Sequence, residues 1–144
     1  MAARRWGGTG PVLADTSAWM QARRDAKARD LLLDAIERGD VRWCWPVRYE
    51  LMVDARGSDG IVVAESILDG LREVPTDRTV QRAVLALIRE LAGHGSHGAH
   101  RYPLTDLTVA CAAQHAGIDI LHFDRHLERL GDHLGIEAHW IAKP

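Results

Sequence analysis

Short apolar runs alternate with longer stretches of helical periodicity in this 144-residue chain, and this alternation restricts the possible fold most strongly. Four runs are predicted to be strands: residues 12–15 (VLAD), 41–45 (VRWCW), 118–123 (IDILHF) and 136–140 (IEAHW). Strands that alternate with helices form parallel sheets covered by helices on both faces. We therefore predict an α/β three-layer sandwich with a central, mostly parallel sheet of about four or five strands. One domain is expected over residues 12–144.

The segments between these runs carry helix signals. The expected helices cover residues 17–39 (as one or two helices), 46–56, 58 up to Pro75, 77–91, 105–117 and 125–135. Gly39, Pro75 and Gly117 supply the stops, and Thr76 or Asp77 caps the fourth helical segment. A loop rich in glycine and histidine, residues 93–103, separates that segment from the next helix.

The overall composition excludes several classes of protein. The formal net charge of −2 argues against a polybasic nucleic-acid tail but leaves room for a local basic rim. Cys44 and Cys111 lack the spacing of a metal-binding pair and are expected to be buried free thiols in a reducing compartment. No apolar run approaches the roughly 20 residues that span a bilayer. Residues 1–11 lack the apolar core of a secretory signal, so we expect a flexible leader there, no membrane contact and a cytoplasmic location.

Four acidic residues lie within apolar sequence, which is unusual for solvated surface charges. Asp15 and Asp124 end predicted strands, Glu50 lies in the helix after the second strand, and Asp106 lies in the first turn of a later helix. Because the carboxyl ends of parallel strands share one edge of a sheet, these acids are predicted to converge. Two carboxylates about 4 Å apart repel by ~4 kcal/mol at an effective dielectric constant near 20, so they require protons or cations. Carboxylate oxygens alone favour a hard ion, Mg²⁺ or Mn²⁺.

Each acid also has a purely structural explanation. Asp15 could cap the following helix with help from a neighbouring hydroxyl, and Asp106 could interact favourably with the dipole of its own helix. Glu50 could form an ion pair with Arg48 or Arg23. Taken singly, each explanation is as good as the functional one, but four acids on the same side of one sheet favour a shared site.

The same acids and their neighbours resemble the PIN-domain ribonuclease family, and most closely its VapC toxins from bacterial toxin–antitoxin pairs. The resemblance rests on DTSA at residues 15–18, PVRYEL at 46–51, TDLTVACAAQHAG at 105–117 and FDRHL at 123–127. It spans residues 12–140, nearly the whole chain. The fold implied by the resemblance is the PIN-like three-layer sandwich.

The resemblance implies a metal-dependent endoribonuclease that acts as the toxin of such a pair and hydrolyses RNA phosphodiesters with a metal-activated water. The residues that match the family's catalytic positions are Asp15, Glu50, Asp106, Asp124 and a hydroxyl, for which we prefer Ser17 over Thr16. Asp15, Asp106 and Asp124 are expected to hold Mg²⁺ or Mn²⁺. His126 departs from the pattern of many relatives, which carry a further acid there, so the sequence leaves open one metal or two.

A ribonuclease also needs contacts to its substrate and its partners. The candidates for RNA contact are the arginines Arg23, Arg48 and Arg125, then Arg24 and Arg101, and the aromatic residues Trp19 and Tyr102. The resemblance implies a homodimer, and a cognate VapB-like antitoxin that crosses the N-terminal helices toward the acidic pocket. Trp43, Trp45, Leu51 and Met52 would suit a partner surface.

Two alternative functions stay open on the sequence alone. Another phosphoryl-transfer enzyme with an acidic pocket fits poorly, because Asp15 is not followed by the second acid of a D-x-D pair. A catalytically weak or inactive PIN-like scaffold would keep the fold and bind protein or RNA. His94, His97 and His100 are evenly spaced, but the intervening glycines argue against a helical metal-binding face, so we expect a loop near the mouth of the site.

Overall fold

The computed structural model describes residues 6–94 and 98–144. The strands are β1 (Val12–Ala14), β2 (Val41–Trp43), β3 (Arg72–Glu73), β4 (Asp119–His122) and β5 (Ala138–Trp140). The helices are α1 (Thr16–Arg24), α2 (Ala26–Glu37), α3 (Trp45–Asp54), α4 (Gly57–Asp69), α5 (Arg78–Leu91), α6 (Leu104–Ala116) and α7 (Arg125–Leu134), and a 3₁₀ turn, Ala99–Arg101, precedes α6. In this described part of the chain, no helix is long and apolar enough to cross a membrane.

The five strands form one parallel sheet in the order β3-β2-β1-β4-β5, which confirms the predicted α/β sandwich. Its two faces pack against different helices, because successive residues of a strand point to opposite faces. Val12 and Ala14 belong to a buried cluster built with α1 and α2. Leu13 and Ile120 belong to a second cluster, built with α3 and α5 to α7. The sheet is therefore covered on both sides, and functional groups reach solvent at its edges.

Short side chains set the helix ends near the places where the sequence predicted them. Asp25 leaves the helical conformation and caps α2, so the first helical segment is two helices. Asp77, rather than Thr76, accepts the first backbone N–H bonds of α5. Gly117 ends α6 at φ 68°, a left-handed conformation that glycine adopts without steric cost.

The third predicted helical segment, residues 58 up to Pro75, is wrong at its carboxyl end. α4 ends at Asp69 rather than at Pro75, and β3 forms the edge of the sheet beside β2. Both residues of β3 are exposed, so no apolar alternation marks this strand in the sequence. The backbone N–H of Val74 donates to the carbonyl of Trp43 at 2.7 Å, and this bond holds the end of the strand in place.

Part of the segment predicted to be a flexible leader packs against the domain. Trp6 is 7% exposed and joins the cluster on the α1–α2 side of the sheet. Its backbone N–H donates to the carbonyl of Trp140 at 3.3 Å, and the guanidinium of Arg38 donates to the carbonyl of Gly8. Burial of an indole ring stabilises this attachment, so residues from Trp6 onward are not a free leader.

The contact of α7 with β5 gives a direct test of the packing. A Cβ atom placed on Gly131 would lie 2.9 Å from the Cβ of Ala138 and 3.0 Å from the carbonyl oxygen of Ile136. Glycine to alanine normally stabilises a helix, but here the added methyl group would push α7 off the sheet. We expect Gly131→Ala to lower the free energy of unfolding by about 1–3 kcal/mol, measured by urea denaturation.

Gly7→Ala is the matched control, since a Cβ at Gly7 would meet nothing within 4 Å. An unchanged or raised stability of Gly131→Ala would contradict the close approach of α7 to β5.

Candidate functional site

The acidic residues lie at the carboxyl ends of β1 and β4, in the middle of the sheet. The chain leaves β1 toward β2 and β3 on one side and later returns to β4 on the other side. Ligands of open parallel sheets bind at this kind of reversal in strand order, where the loops diverge and leave a crevice. Asp15 follows β1 directly, and Asp124 lies two residues beyond β4. The topology therefore brings both acids to the crevice.

Asp15 is 3% exposed, and among the described residues only one of its two carboxylate oxygens has a hydrogen-bond partner. Its Oδ2 accepts hydrogen bonds from the backbone N–H of Ser17 at 3.0 Å and from the Ser17 hydroxyl at 2.6 Å. These bonds cap α1, as the structural explanation of Asp15 supposed. Its Oδ1 is buried and accepts no bond from the described residues. A helix cap alone leaves that oxygen unexplained, since buried polar atoms are nearly always paired.

Ser17 also ties the two acid-bearing strand ends together. Its Oγ accepts the backbone N–H of Phe123 at 2.9 Å while it donates to Asp15. The neighbouring hydroxyl of Thr16 donates instead to Oε1 of Glu50 at 2.7 Å. Ser17, which the sequence analysis preferred, thus holds Asp15, and Thr16 holds Glu50.

His122 fixes the segment that carries Asp124, and the sequence analysis did not identify it. The backbone N–H of Asp124 donates to Nδ1 of His122 at 3.0 Å, and His122 is fully buried against Trp140. Burial lowers the pKa of His122 to about 4, so the ring is neutral and can accept this bond. A histidine among apolar residues two positions before an acid was the available signal.

Asp106 and His126 complete the cluster. Asp106 is the third residue of α6 and is 6% exposed. Nδ1 of His126 lies 3.2 Å from Oδ2 of Asp106 and 3.7 Å from Oδ1 of Asp124. One donor atom from each of these three side chains lies within 4.8 Å of the other two, which is close enough for one metal ion. Asp15, which the sequence placed among the metal ligands together with Asp106 and Asp124, lies outside that group of three.

The carboxylates are close enough to shift one another's pKa values. Burial, followed by the charges of Asp15 and Asp124, raises the pKa of Asp106 to about 7, although His126 opposes the shift. Burial also raises the pKa of Asp15, with Glu50 and Asp124 adding to the effect and the Ser17 hydrogen bonds opposing it. The cluster therefore carries more negative charge at neutral pH than its surroundings stabilise. A divalent cation would relieve this charge and would supply the missing partner of the buried Asp15 oxygen.

Comparison with known proteins identifies the family of this chain. The PIN domain family matches residues 12–132 of the chain. The chain belongs to the PIN domain family. Ribonuclease VapC18 of Mycobacterium tuberculosis strain H37Rv is 31% identical over 129 residues, which cover 89% of this chain and 93% of that relative. Ribonuclease VapC21 of the same species is 30% identical over 133 residues, 92% of this chain and 94% of the relative.

Solved structures share the fold of this PIN domain at lower sequence identity. VapBC from Salmonella typhimurium, solved bound to DNA, superposes with a TM-score of 0.72 at 17% identity and covers 93% of this chain and 100% of its own. FitAcB from Neisseria gonorrhoeae superposes with a TM-score of 0.66 at 21% identity and covers 89% of this chain and 96% of its own.

The arginines named from the sequence occupy different environments in this PIN domain. Arg48 is largely buried and lies 2.8 Å from Asp69 and 3.7 Å from Glu65, with its guanidinium over the ring of Trp43. Arg48 is thus an internal ion-pair partner of α4, which leaves little of it free for the RNA contact expected from the sequence.

Arg23 pairs with Asp54 at 2.6 Å, so neither it nor Arg48 pairs with Glu50. Arg125 is exposed at the start of α7, directly after Asp124, and Arg24 and Arg101 are also exposed. Arg125, Arg24 and Arg101 have no ion-pair partner among residues 6–94 and 98–144.

The aromatic and histidine candidates also lie in different places in the fold. Trp19 packs against both buried clusters, while Tyr102 lies edge-on to the ring of His126 at 5.4 Å between centroids. His94 contacts the ring of His133, and His100 is exposed in the 3₁₀ turn. His97 lies outside the described residues.

A groove of about 1000 Å³ lies beside the acidic site, between α1, α2, α3 and α4. Its apolar lining includes Leu32, Ile36, Leu51 and Leu68, together with side chains that are about half exposed, such as Leu33 and Val63. Leu51 lines the groove, and the residue before it in α3 is Glu50 of the site. Groove and site are therefore neighbours on the same helices.

The raised pKa of Asp106 predicts a stability effect with a definite sign. The pKa of Asp106 is about 7 in the folded protein, and its ordinary value is 3.8. Between these two values, the folded protein keeps a proton on Asp106 that the unfolded chain has lost. Asp106 therefore does not lower the free energy of unfolding below about pH 4, and it lowers that free energy increasingly as the pH rises toward 7. In EDTA at pH 8, we expect Asp106→Asn to raise the free energy of unfolding by about 1–3 kcal/mol.

Urea denaturation at pH 8 and pH 5 checks this expectation, with a smaller difference between variant and parent at pH 5. Asp119→Asn, at the opposite end of β4, is the control and should show no such gain. A less stable Asp106→Asn protein at pH 8 would mean that its neighbours stabilise the charged form of Asp106.

Proposed function

We propose that this PIN domain is a metal-dependent endoribonuclease and the toxin of a toxin–antitoxin pair. The observation that carries the proposal is the buried, unpartnered Oδ1 of Asp15 beside Asp106, whose carboxyl group burial and neighbouring charges hold partly protonated. A domain that used these acids only to cap helices would have no reason to bury that oxygen without a protein hydrogen-bond donor. Two relatives that align over nearly their whole length are named ribonucleases, which supports the same reading.

The proposed ligands of the ion are Asp15, Asp106 and Asp124. Carboxylate donors suit Mg²⁺ or Mn²⁺. Such an ion, when bound, lowers the pKa of a coordinated water and neutralises charge that builds on phosphate oxygens. Hydrolysis of this kind leaves a 5′-phosphate and a 3′-hydroxyl, without use of the ribose 2′-hydroxyl.

The chain's own residues orient these groups. Ser17 holds Oδ2 of Asp15 and so directs Oδ1 away from the helix cap. Thr16 holds Glu50 through a 2.7 Å hydrogen bond, which leaves the second carboxylate oxygen of Glu50 free of that bond to position water or an ion. His122 holds the backbone at Asp124. Mobile carboxylates would lose affinity for the ion, so these hydrogen bonds prepare the site before it is loaded.

The RNA backbone needs cations at the rim of this acidic site. We propose Arg125 as the first of these, since it is exposed, unpaired among the described residues and adjacent to Asp124. Arg23 already pairs with Asp54 and would have to exchange that partner for phosphate. The bacterial cytoplasm, where RNA is available, is the proposed location, and the buried free thiols of Cys44 and Cys111 suit a reducing compartment.

Cleavage of a structured RNA pool tests the enzymatic proposal. We expect cleavage with Mg²⁺ or Mn²⁺, none in EDTA, and products with 5′-phosphate ends. Asp15→Asn should reduce the cleavage rate by at least about 100-fold. Loss of a residue that only hydrogen-bonds to a metal ligand already lowers metal affinity or activity by about 10–100-fold. Sequencing gels of end-labelled RNA give both rate and end chemistry.

Asp119→Asn is the control for this experiment, since it removes a carboxylate from β4, the strand beside β1, at the end opposite to Asp15. Loss of cleavage in both variants would point to a general defect in folding. A folded parent protein that cuts no RNA with either ion would favour the inactive PIN-like scaffold.

We also propose that the groove between α1 and α4 binds the antitoxin. The solved structures with this fold include VapBC and a toxin–antitoxin complex from Klebsiella pneumoniae. The groove has an apolar lining and carries Arg24 and Arg56, for which the described residues supply no ion-pair partner. An amphipathic segment with one apolar face and nearby acidic side chains would match that surface.

A second partner surface lies on the outer side of α3. Trp45, Tyr49 and Val53 are more than half exposed and recur every four residues, and Leu104 is exposed at the start of α6. We propose this stripe as the homodimer contact. Of the residues that the sequence offered for a partner surface, Trp43 is buried in the core, and Leu51 faces the groove proposed for the antitoxin and not this stripe.

Suppression of toxicity tests the groove. Genomic fragments from the source organism would be selected for relief of the growth arrest caused by this protein. We expect Leu33→Asp or Val63→Asp to escape the recovered suppressor, because each places a charge on the apolar lining. Growth curves with and without the suppressor measure the effect.

Leu85→Asp is the matched control, since Leu85 is 53% exposed, close to the 51% of Leu33, and lies on α5 outside the groove. If the suppressor neutralises the Leu33→Asp and Val63→Asp proteins as well as the parent, the antitoxin binds elsewhere.

A further inference from the structure

His126 introduces a nitrogen donor into a site otherwise made of carboxylates. Its Nδ1 lies 3.2 Å from Oδ2 of Asp106 and 3.7 Å from Oδ1 of Asp124. Neighbouring ligands of a six-coordinate ion with bonds of ~2.1 Å lie about 3 Å apart. Nδ1 is therefore spaced from each carboxylate oxygen nearly as from a neighbouring ligand, and one donor atom from each of the three side chains lies within 4.8 Å of the other two.

The ring of His126 is held toward the acids by its surroundings. Its backbone N–H donates to Oδ1 of Asp124 at 2.9 Å, which fixes its position in the first turn of α7. The edge-on ring of Tyr102 packs against the imidazole at 5.4 Å between centroids. About a third of the side chain is exposed, so the ring is neither locked in the core nor free in solvent.

A simpler role for His126 is that of a positive counter-charge. A protonated ring would neutralise part of the charge on Asp106 and Asp124 and would then have no lone pair for an ion. The distances fit both roles, but the roles differ in what happens to Nδ1 when a cation binds. As a ligand, Nδ1 directs a lone pair at the ion. As a counter-charge, the protonated ring is displaced by the ion.

Donor type decides which ion such a site prefers. Oxygen-only sites suit Mg²⁺, whereas imidazole binds transition metals more strongly than it binds Mg²⁺. Mn²⁺ accepts both donor types in the same octahedral geometry. One nitrogen among several carboxylate oxygens therefore raises the affinity for Mn²⁺ without excluding Mg²⁺.

We propose that Nδ1 of His126 is a direct ligand of the catalytic ion, together with Asp106 and Asp124, and that this nitrogen makes the site prefer Mn²⁺ over Mg²⁺. This inference rests on the proposed function, in which the acidic cluster is a metal centre. It also answers the question of what His126 contributes to the site: it replaces one oxygen donor by nitrogen.

Pulsed electron paramagnetic resonance on the Mn²⁺-loaded protein tests the ligand directly. A bound imidazole gives ¹⁴N modulation of the Mn²⁺ spin echo, and activity plays no part in this readout. We expect the modulation in the parent protein and its loss in His126→Asp, which exchanges nitrogen for oxygen. In competition titrations, the ratio of Mn²⁺ to Mg²⁺ affinity should fall about tenfold or more in His126→Asp.

His133→Ala is the control, because His133 bonds to Glu90 and belongs to no part of the acidic cluster. It should keep both the modulation and the affinity ratio. Bound Mn²⁺ without ¹⁴N modulation in the parent protein would overturn the inference and leave the metal centre intact, with His126 as a counter-charge. No Mn²⁺ binding by the folded parent protein would overturn the metal centre and the inference together.

Discussion

The burial of one carboxylate, that of Asp15, is the constraint on which the site depends. Taking a charged group out of water is costly unless it is paired, and here only one of its two oxygens is paired. Ser17 lowers this cost and at the same moment joins the end of β1 to the end of β4 through Phe123. The strand pairing and the acid cluster are thus held by the same hydroxyl group.

The cluster sets stability against function. Burial and mutual repulsion raise the pKa of Asp106 and Asp15, so these carboxyl groups destabilise the fold most at the pH where they must be charged to bind a cation. A domain selected for stability alone would replace one of these acids by an amide or an apolar residue. The chain instead keeps them at the reversal of strand order, where α1 and α7 donate backbone N–H bonds from Ser17 to Asp15 and from His126 to Asp124.

The sequence predicted the parts of the structure that follow from local patterns. Apolar runs ending at Asp15 and Asp124 located the central strands, and the parallel sheet then implied that these acids meet. Prediction from the sequence failed where the decisive contacts join residues that are distant in the chain, and where no sequence pattern marks an element. β3 is a two-residue exposed edge, Arg48 is paired with residues of the next helix, and the hydrogen bond from Asp124 to His122 needs a buried ring that local sequence does not reveal.

The proposed antitoxin groove and the proposed catalytic site are linked by simple adjacency. α1 begins at the carboxylate that caps it, Asp15, and carries Trp19 and Arg23 into the groove wall one and two turns later. α3 places Glu50 toward Thr16 and the next residue, Leu51, toward the groove, since neighbouring residues of a helix point about 100° apart. A partner seated in the groove would therefore touch Trp19, one helical turn from Asp15, and Leu51, the neighbour of Glu50. The proposed partner therefore needs no change in the fold of this PIN domain to sit next to two of the four acids.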